Sequence, residues 1–71
     1  MNIVAKKNWV YRVYETELGF VISVPFGSGS VDYSRAFKID LESLDEDYLT
    51  QKAKDIVENY ESYKVFEVTH P

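Results

Sequence analysis

The sequence of 71 residues contains no cysteine, a single histidine next to its last residue, and a net charge of −4 at neutral pH. These values exclude a disulfide-stapled scaffold and a zinc site built from Cys and His, and no apolar run approaches the ~20 residues that span a bilayer. We therefore expect one small domain covering 1–71, with no metal, no cofactor and no membrane segment.

The charge is unevenly distributed along the chain. Residues 1–39 carry five bases against three acids, whereas residues 40–71 carry three bases against nine acids. The acidic half disfavours general binding to nucleic acid and favours a basic protein partner. Lys6 and Lys7 follow the first apolar residues, which is not the order of a signal peptide, so we expect a cytoplasmic protein.

Three strands are predicted in the first 41 residues. Residues 9–14 and 20–24 are dense in β-branched and aromatic side chains, and a turn at 15–19 that ends in glycine joins them. A loop of glycine and serine at 27–30 leads to a third strand at 35–41. That loop lacks the glycine spacing and the lysine of a phosphate-binding loop, so we interpret it as a mobile connection.

A helix and a fourth strand complete the predicted elements. Ser43 and Glu46 fit a capping box, in which each side chain bonds a backbone N–H near the other. Apolar residues then recur at the helical period over 44–60, namely Leu49, Ala53, Ile56, Val57 and Tyr60. Residues 63–68 return to a strand composition.

The predicted fold is an α+β domain in the order β-β-β-α-β, a mostly antiparallel sheet with one helix packed on one face. An even-length first turn places residue 13 opposite residue 22. The face beneath the helix then comprises Trp9, Tyr11, Val13, Phe20, Ile22, Val24, Phe26, Phe37, Ile39, Leu41, Phe66 and Val68. The opposite, uncovered face comprises Val10, Arg12, Tyr14, Val21, Ser23, Lys38, Asp40, Tyr63, Val65 and Glu67. We expect the last strand to run parallel to the third, beside the first strand or at the other edge, and one edge to stay open.

An acidic cluster precedes and begins the predicted helix. Its five carboxylates, Asp40, Glu42, Asp45, Glu46 and Asp47, occupy eight positions without an intervening base. Acids here suit the positive end of the helix dipole, which is the structural interpretation. The functional interpretation is a docking surface for a basic partner. Metal binding is the third alternative, although the spacing lacks the glycine and the terminal glutamate of a calcium loop.

Two cations and two tyrosines mark the predicted uncovered face: Arg12, Tyr14, Lys38 and Tyr63. Arginine and tyrosine are enriched where proteins meet, which favours a protein or dimer contact. Sheets that bind single-stranded RNA also stack bases on aromatic rings flanked by cations, and that use stays open. An ordinary amphipathic surface is the third interpretation.

No catalytic arrangement is recognisable in the chain. His70 lies beside Pro71 at the end, and no serine or threonine has a histidine or lysine at a suggestive spacing. A general base needs a fixed partner and a pocket. We therefore expect a protein that is not an enzyme.

The segment Tyr11-x-Val13 followed by Gly19-Phe20-Val21-Ile22-Ser23-Val24-Pro25 resembles the opening of HicB-like antitoxin domains. The helix over 44–60 and the order β-β-β-α-β are similar as well. The chain departs from that family after Pro25, where an acidic residue and a Pro-Gly pair are usual, and it lacks the DNA-binding tail. The resemblance implies a domain that neutralises a small toxin by covering its surface, without repressor activity.

Together these features favour a small inhibitor, antitoxin or immunity-type protein that neutralises a basic protein target. The acidic cluster would steer the partner, and the Tyr/Arg sheet face or an open edge strand would provide affinity. The first alternative is a self-associating module that forms a homodimer through the uncovered face. The second is a single-stranded nucleic-acid binder on that same face.

Overall fold

Five antiparallel strands form one sheet, and they lie side by side in the order in which they occur in the chain. The computed structural model describes residues 2–17, 19–26 and 33–68. The strands are β1 (Asn2–Lys7), β2 (Tyr11–Thr16), β3 (Gly19–Pro25), β4 (Ser34–Lys38) and β5 (Glu67–Val68). The predicted α+β class is therefore confirmed, with one strand more than expected.

Two helices and a 3₁₀ turn connect β4 to β5. They are α1 (Glu46–Glu58), α2 (Tyr60–Tyr63) and a 3₁₀ turn over Lys64–Phe66. Leu49, Ala53 and Ile56 on α1 are buried, as their spacing predicts, whereas Val57 is exposed. The apolar stripe of α1 is therefore narrower than the sequence indicates.

The register of the central strands places the core on one face of the sheet. Val13 lies opposite Ile22, and Ile22 lies opposite Phe37, so the predicted pairing of 13 with 22 is confirmed. These side chains pack with Leu49 and Ile56 of α1 in the main cluster of buried residues. Burial of large apolar side chains provides most of the stability of a domain this small.

The hairpin formed by β1 and β2 is not predicted by the sequence pattern. Residues 2–7 form the unpredicted edge strand β1, in which a bulge at Val4 interrupts the alternation that would have revealed it. Trp9 and Val10 were predicted in a strand but lie in the turn between β1 and β2. Trp9 is exposed instead of lying beneath the helix, while Val10 packs against the core instead of facing outward.

The second turn follows its prediction more closely. Thr16 pairs with Gly19, whose φ of 121° is the positive value that favours glycine. The predicted loop at 27–30 and His70 lie outside the described residues. β4 ends at Lys38, yet Ile39 and Leu41 still pack against the core.

The predicted capping box is wrong. Asp45, not Ser43, occupies the N-cap position of α1, and no side chain caps the helix there. Ser43 instead accepts a hydrogen bond from the Asp45 backbone N–H at 2.9 Å, which forms a local turn before the helix. Glu46 extends toward Lys7, with 3.4 Å between its carboxylate and the Lys7 Nζ.

The predicted fourth strand is mostly helical. α2 and the 3₁₀ turn occupy residues 60–66 and bring the chain beside β4 in the antiparallel direction, not the expected parallel one. Tyr63 packs against the core and Glu67 lies opposite Phe37, so neither belongs to the uncovered face. Phe66 and Val65 are exposed on the 3₁₀ turn, and Val68 pairs with Ala36 on the uncovered face.

Candidate functional site

One face of the sheet carries no helix among the described residues, because α1 and α2 both pack on the other face. We call it the uncovered face. Strand pairing defines its members, which are Ile3, Lys6, Arg12, Tyr14, Val21, Ser23, Pro25, Ser34, Ala36, Lys38 and Val68. Its centre is made of small buried side chains, and longer ones lie on the flanking strands. This is the shape of a shallow contact surface.

Three of the four sheet residues predicted from the sequence meet on this face. Tyr14 and Lys38 lie on either side of Val21 in one row across the sheet. The Arg12 Nη1 lies 3.5 Å from the Tyr14 Oη, at the limit of a hydrogen bond. Arg12, Tyr14 and Lys38 therefore form one surface, as expected.

The uncovered face is basic. Lys6, Arg12 and Lys38 have no carboxylate within salt-bridge distance in the described part of the chain. Lys6 was not among the predicted site residues, because β1 itself was not predicted. The direct pairing of Lys6 with Arg12 in the register places two cations side by side. Such a surface favours an anionic partner.

A groove of about 510 Å³ lies at the end of this face next to the β1–β2 turn. We call it the hairpin groove. Residues that line it include Lys6, Lys7, Trp9 and Arg12, with Ser23 of β3. No acidic side chain lines it among the residues that the structure describes. The groove could not be predicted from the sequence, because the strand pattern places Trp9 in the core.

Tyr63 belongs to a different surface. Its Oη donates a hydrogen bond to the carboxylate of Asp55, eight residues earlier on α1. That bond, with some burial, raises the pKa of Tyr63 to about 12. Tyr63 therefore joins α2 to α1, and its assignment to the sheet face is wrong.

The acidic cluster lies apart from the uncovered face. Asp45, Glu46 and Asp47 begin α1, the helix that packs on the opposite face, and Asp40 and Glu42 lie in the connection before it. All five side chains are exposed. The cluster therefore belongs to the helical side of the sheet, where Glu46 reaches Lys7 of the edge strand β1.

A second polar group, absent from the sequence predictions, surrounds Arg35 on the helical side. The Arg35 guanidinium donates to Glu67 at 2.8 Å and lies 4.9 to 5.9 Å from the ring centres of Phe26, Tyr33 and Tyr60. Tyr60 donates to the other Glu67 oxygen at 2.7 Å. The hydrogen bond from Tyr60 is the main cause that lowers the pKa of Glu67, and the bond from Arg35 lowers it further. The same bond to Glu67 raises the pKa of Arg35. The group fastens α2 and β5 to β4.

Neither a metal site nor a membrane span is found in the described ranges. Within 2–17, 19–26 and 33–68, no three His, Cys, Asp or Glu side chains come together in a way that could hold a metal ion. No helix formed by these residues has the length and apolar character needed to cross a membrane.

No family model, curated protein or solved structure matches this chain. The resemblance to HicB-like domains accordingly stays a prediction.

Proposed function

We propose that this protein is a non-enzymatic binding module that docks a partner protein on its uncovered face. The observation that carries the proposal is the set of cations, Lys6, Arg12 and Lys38, which lie on the same face as Tyr14 and have no carboxylate partner among the described residues. Unpaired charges on an open sheet face cost little in water and become favourable when a complementary surface covers them. The role that fits is that of an inhibitor, antitoxin or immunity-type protein.

The charge of the uncovered face supports an acidic partner. An acidic protein surface complements it, whereas a basic target would have to bind the acidic cluster on the helical side. A homodimer through this face is disfavoured, because a two-fold interface brings each patch against its own copy and hence like charges together. The chain has no cysteine, which is compatible with the cytosolic location that we propose.

Affinity capture from the native host with paired variants tests the proposal. The sheet variant is Tyr14→Ala with Lys38→Ala, and the helix-start variant is Asp45→Asn, Glu46→Gln and Asp47→Asn. Lys54→Ala, an exposed lysine on α1, is the charge control. We expect one stoichiometric protein that is retained by the helix-start variant and the control but lost with the sheet variant.

Measurement with the purified partner gives the size of the effect. Calorimetric titration should show a loss of roughly tenfold or more in affinity for the sheet variant, as for residues central to an interface. A partner lost only with the helix-start variant would instead support neutralisation of a basic target. If the wild type sediments as a dimer and Tyr14→Glu sediments as a monomer, self-association would be supported and the proposal overturned.

A further inference from the structure

We propose that the hairpin groove binds single-stranded nucleic acid. This goes beyond the proposed docking of a protein, which uses Tyr14 and Lys38 at the other end of the uncovered face. Lys6 and Arg12, which pair in the register, belong to both surfaces. The proposal concerns Trp9 and Lys6, which the docking experiment leaves unchanged.

The groove supplies positive charge from three side chains. Lys6, Lys7 and Arg12 line it, and no Asp or Glu does so among the described residues. Lys7 is partly neutralised by Glu46 at 3.4 Å, so Lys6 and Arg12 are the principal cations. Although the chain as a whole is acidic, contacts with phosphate depend on the local field, which is screened beyond about 8–10 Å at physiological salt.

Trp9 is the unusual residue of this groove. Its side chain is 87% exposed, although tryptophan buries more area than almost any other residue when it lies in a core. Its φ is 67°, at the third position of a turn closed by the Val10 N–H to Lys7 oxygen bond at 3.0 Å. A positive φ at this position normally selects glycine or asparagine. A bulky ring held in this strained conformation indicates that Trp9 serves binding and not folding stability.

The combination of ring and cations favours nucleic acid over an acidic peptide. An acidic peptide would use only the cations of the groove. A nucleotide would use both features, because its base stacks on the exposed indole while its phosphate contacts lysine and arginine. A nucleic-acid strand that stacks on Trp9 would extend toward Tyr14, which lies further along β2 on the uncovered face.

Fluorescence of Trp9, the single tryptophan of the chain, reports binding directly. We would titrate the full chain with an oligothymidylate of about 12 nucleotides at 50 mM NaCl. We expect saturable quenching, and a loss in affinity of roughly seven- to twenty-fold on raising the salt to 200 mM, corresponding to two or three neutralised phosphates.

Variants assign the effect to the groove, with a fluorescein-labelled strand as the reporter. Trp9→Gly should weaken binding roughly five-fold or more through loss of stacking. Lys6→Ala should reduce the slope of log affinity against log salt concentration by about 0.7. Lys54→Ala should leave both values unchanged. Because glycine suits the turn, Trp9→Gly should fold, so that a loss of binding reports the missing ring.

Three outcomes would overturn the inference. They are no saturable quenching at about 100 µM strand, unchanged affinity in Trp9→Gly, and equal quenching by poly-L-glutamate, which would identify an acidic polypeptide as the ligand. Failure here leaves protein docking intact, because capture of the partner depends on Tyr14 and Lys38. Conversely, oligonucleotide binding without a captured protein would support the nucleic-acid site and leave the protein-docking proposal without support.

Discussion

At the scale of single residues, the structure departs most from the sequence pattern at Trp9. Hydrophobicity predicts a buried tryptophan, but the chain reverses there, and the hydrogen bond between Val10 and Lys7 fixes a turn. No rule based on composition could reveal this, because asparagine followed by tryptophan is not a turn signature. Tyr63 shows the opposite error, since a strand-like segment proved helical and its hydroxyl reaches Asp55.

Replacing Trp9 by glycine should stabilise the fold. The change removes a left-handed conformation that costs ~1–3 kcal/mol, offset by the greater chain entropy of unfolded glycine, so we expect a net gain of about 1 kcal/mol. Little burial is lost, because the side chain is exposed. Urea unfolding followed by circular dichroism measures the change. A variant less stable than the wild type would show that the indole supports the hairpin.

The hydrogen bond from Tyr63 to Asp55 should stabilise the fold only while the Tyr63 hydroxyl is protonated, so this contribution should disappear at alkaline pH. The pKa of Tyr63 is raised from 10 to about 12, so this contribution is complete below pH 10 and is lost as the pH rises toward 12. In a phenolate absorbance titration, Asp55→Asn should move one of the six tyrosines back toward 10. Superimposable titration curves for the variant and the wild type would contradict the assignment.

At the scale of elements, periodicity predicted the buried residues of the main core cluster. The alternation in β2 and β3 gave the correct register, and the spacing of Leu49, Ala53 and Ile56 gave the buried stripe of α1. The edges were harder to predict. β1 is bulged and largely exposed, and β5 has two residues held by tertiary contacts, so neither has a clear local pattern.

The candidate site was only half predictable for the same reason. Arg12, Tyr14 and Lys38 lie on strands whose alternation could be recognised, and they do share a face. Lys6 and the hairpin groove depend on β1 and its turn, which only the tertiary structure reveals. The separation of the acidic cluster from the sheet cations likewise follows from helix packing, not from charge counts along the chain.

The Arg35 group should make attachment of α2 and β5 sensitive to acid. The pKa of Glu67 lies below its ordinary 4.5, so its contribution is complete above that pH and is lost as the pH falls through the lowered value. We expect Glu67→Gln to lower the melting temperature at pH 7 and to flatten its fall below pH 5. Glu58→Gln, an exposed carboxylate on α1, should do neither. Parallel melting curves for both variants would show that the group has no stabilising role.

At the scale of the whole molecule, one core supports two surfaces of opposite charge. The sheet side presents cations that form no ion pair within the described part of the chain, and the helical side presents the acids at the start of α1. A domain of this size has a total stability of ~4–10 kcal/mol, so both surfaces depend on a small number of buried contacts.

Truncation of the core should therefore affect the entire domain. Leu49 is fully buried between α1 and the sheet, and Leu49→Ala should cost ~2–5 kcal/mol through lost burial and the cavity it leaves. Urea unfolding should show a midpoint far below that of the wild type. The exposed Leu44→Ala is the matched control and should lie within about 0.5 kcal/mol of the wild type.

The order of the strands also determines how this chain reaches its native state. Because each of the first four strands pairs with its neighbour in the sequence, every hairpin closes a short loop and pays little entropy before it gains contacts. The pairing of β4 with β5, by contrast, spans some thirty residues that include α1 and α2. The side chains of the proposed sites all lie on β1 to β4 and the turn between β1 and β2, so fraying of β5 would leave those sites in place.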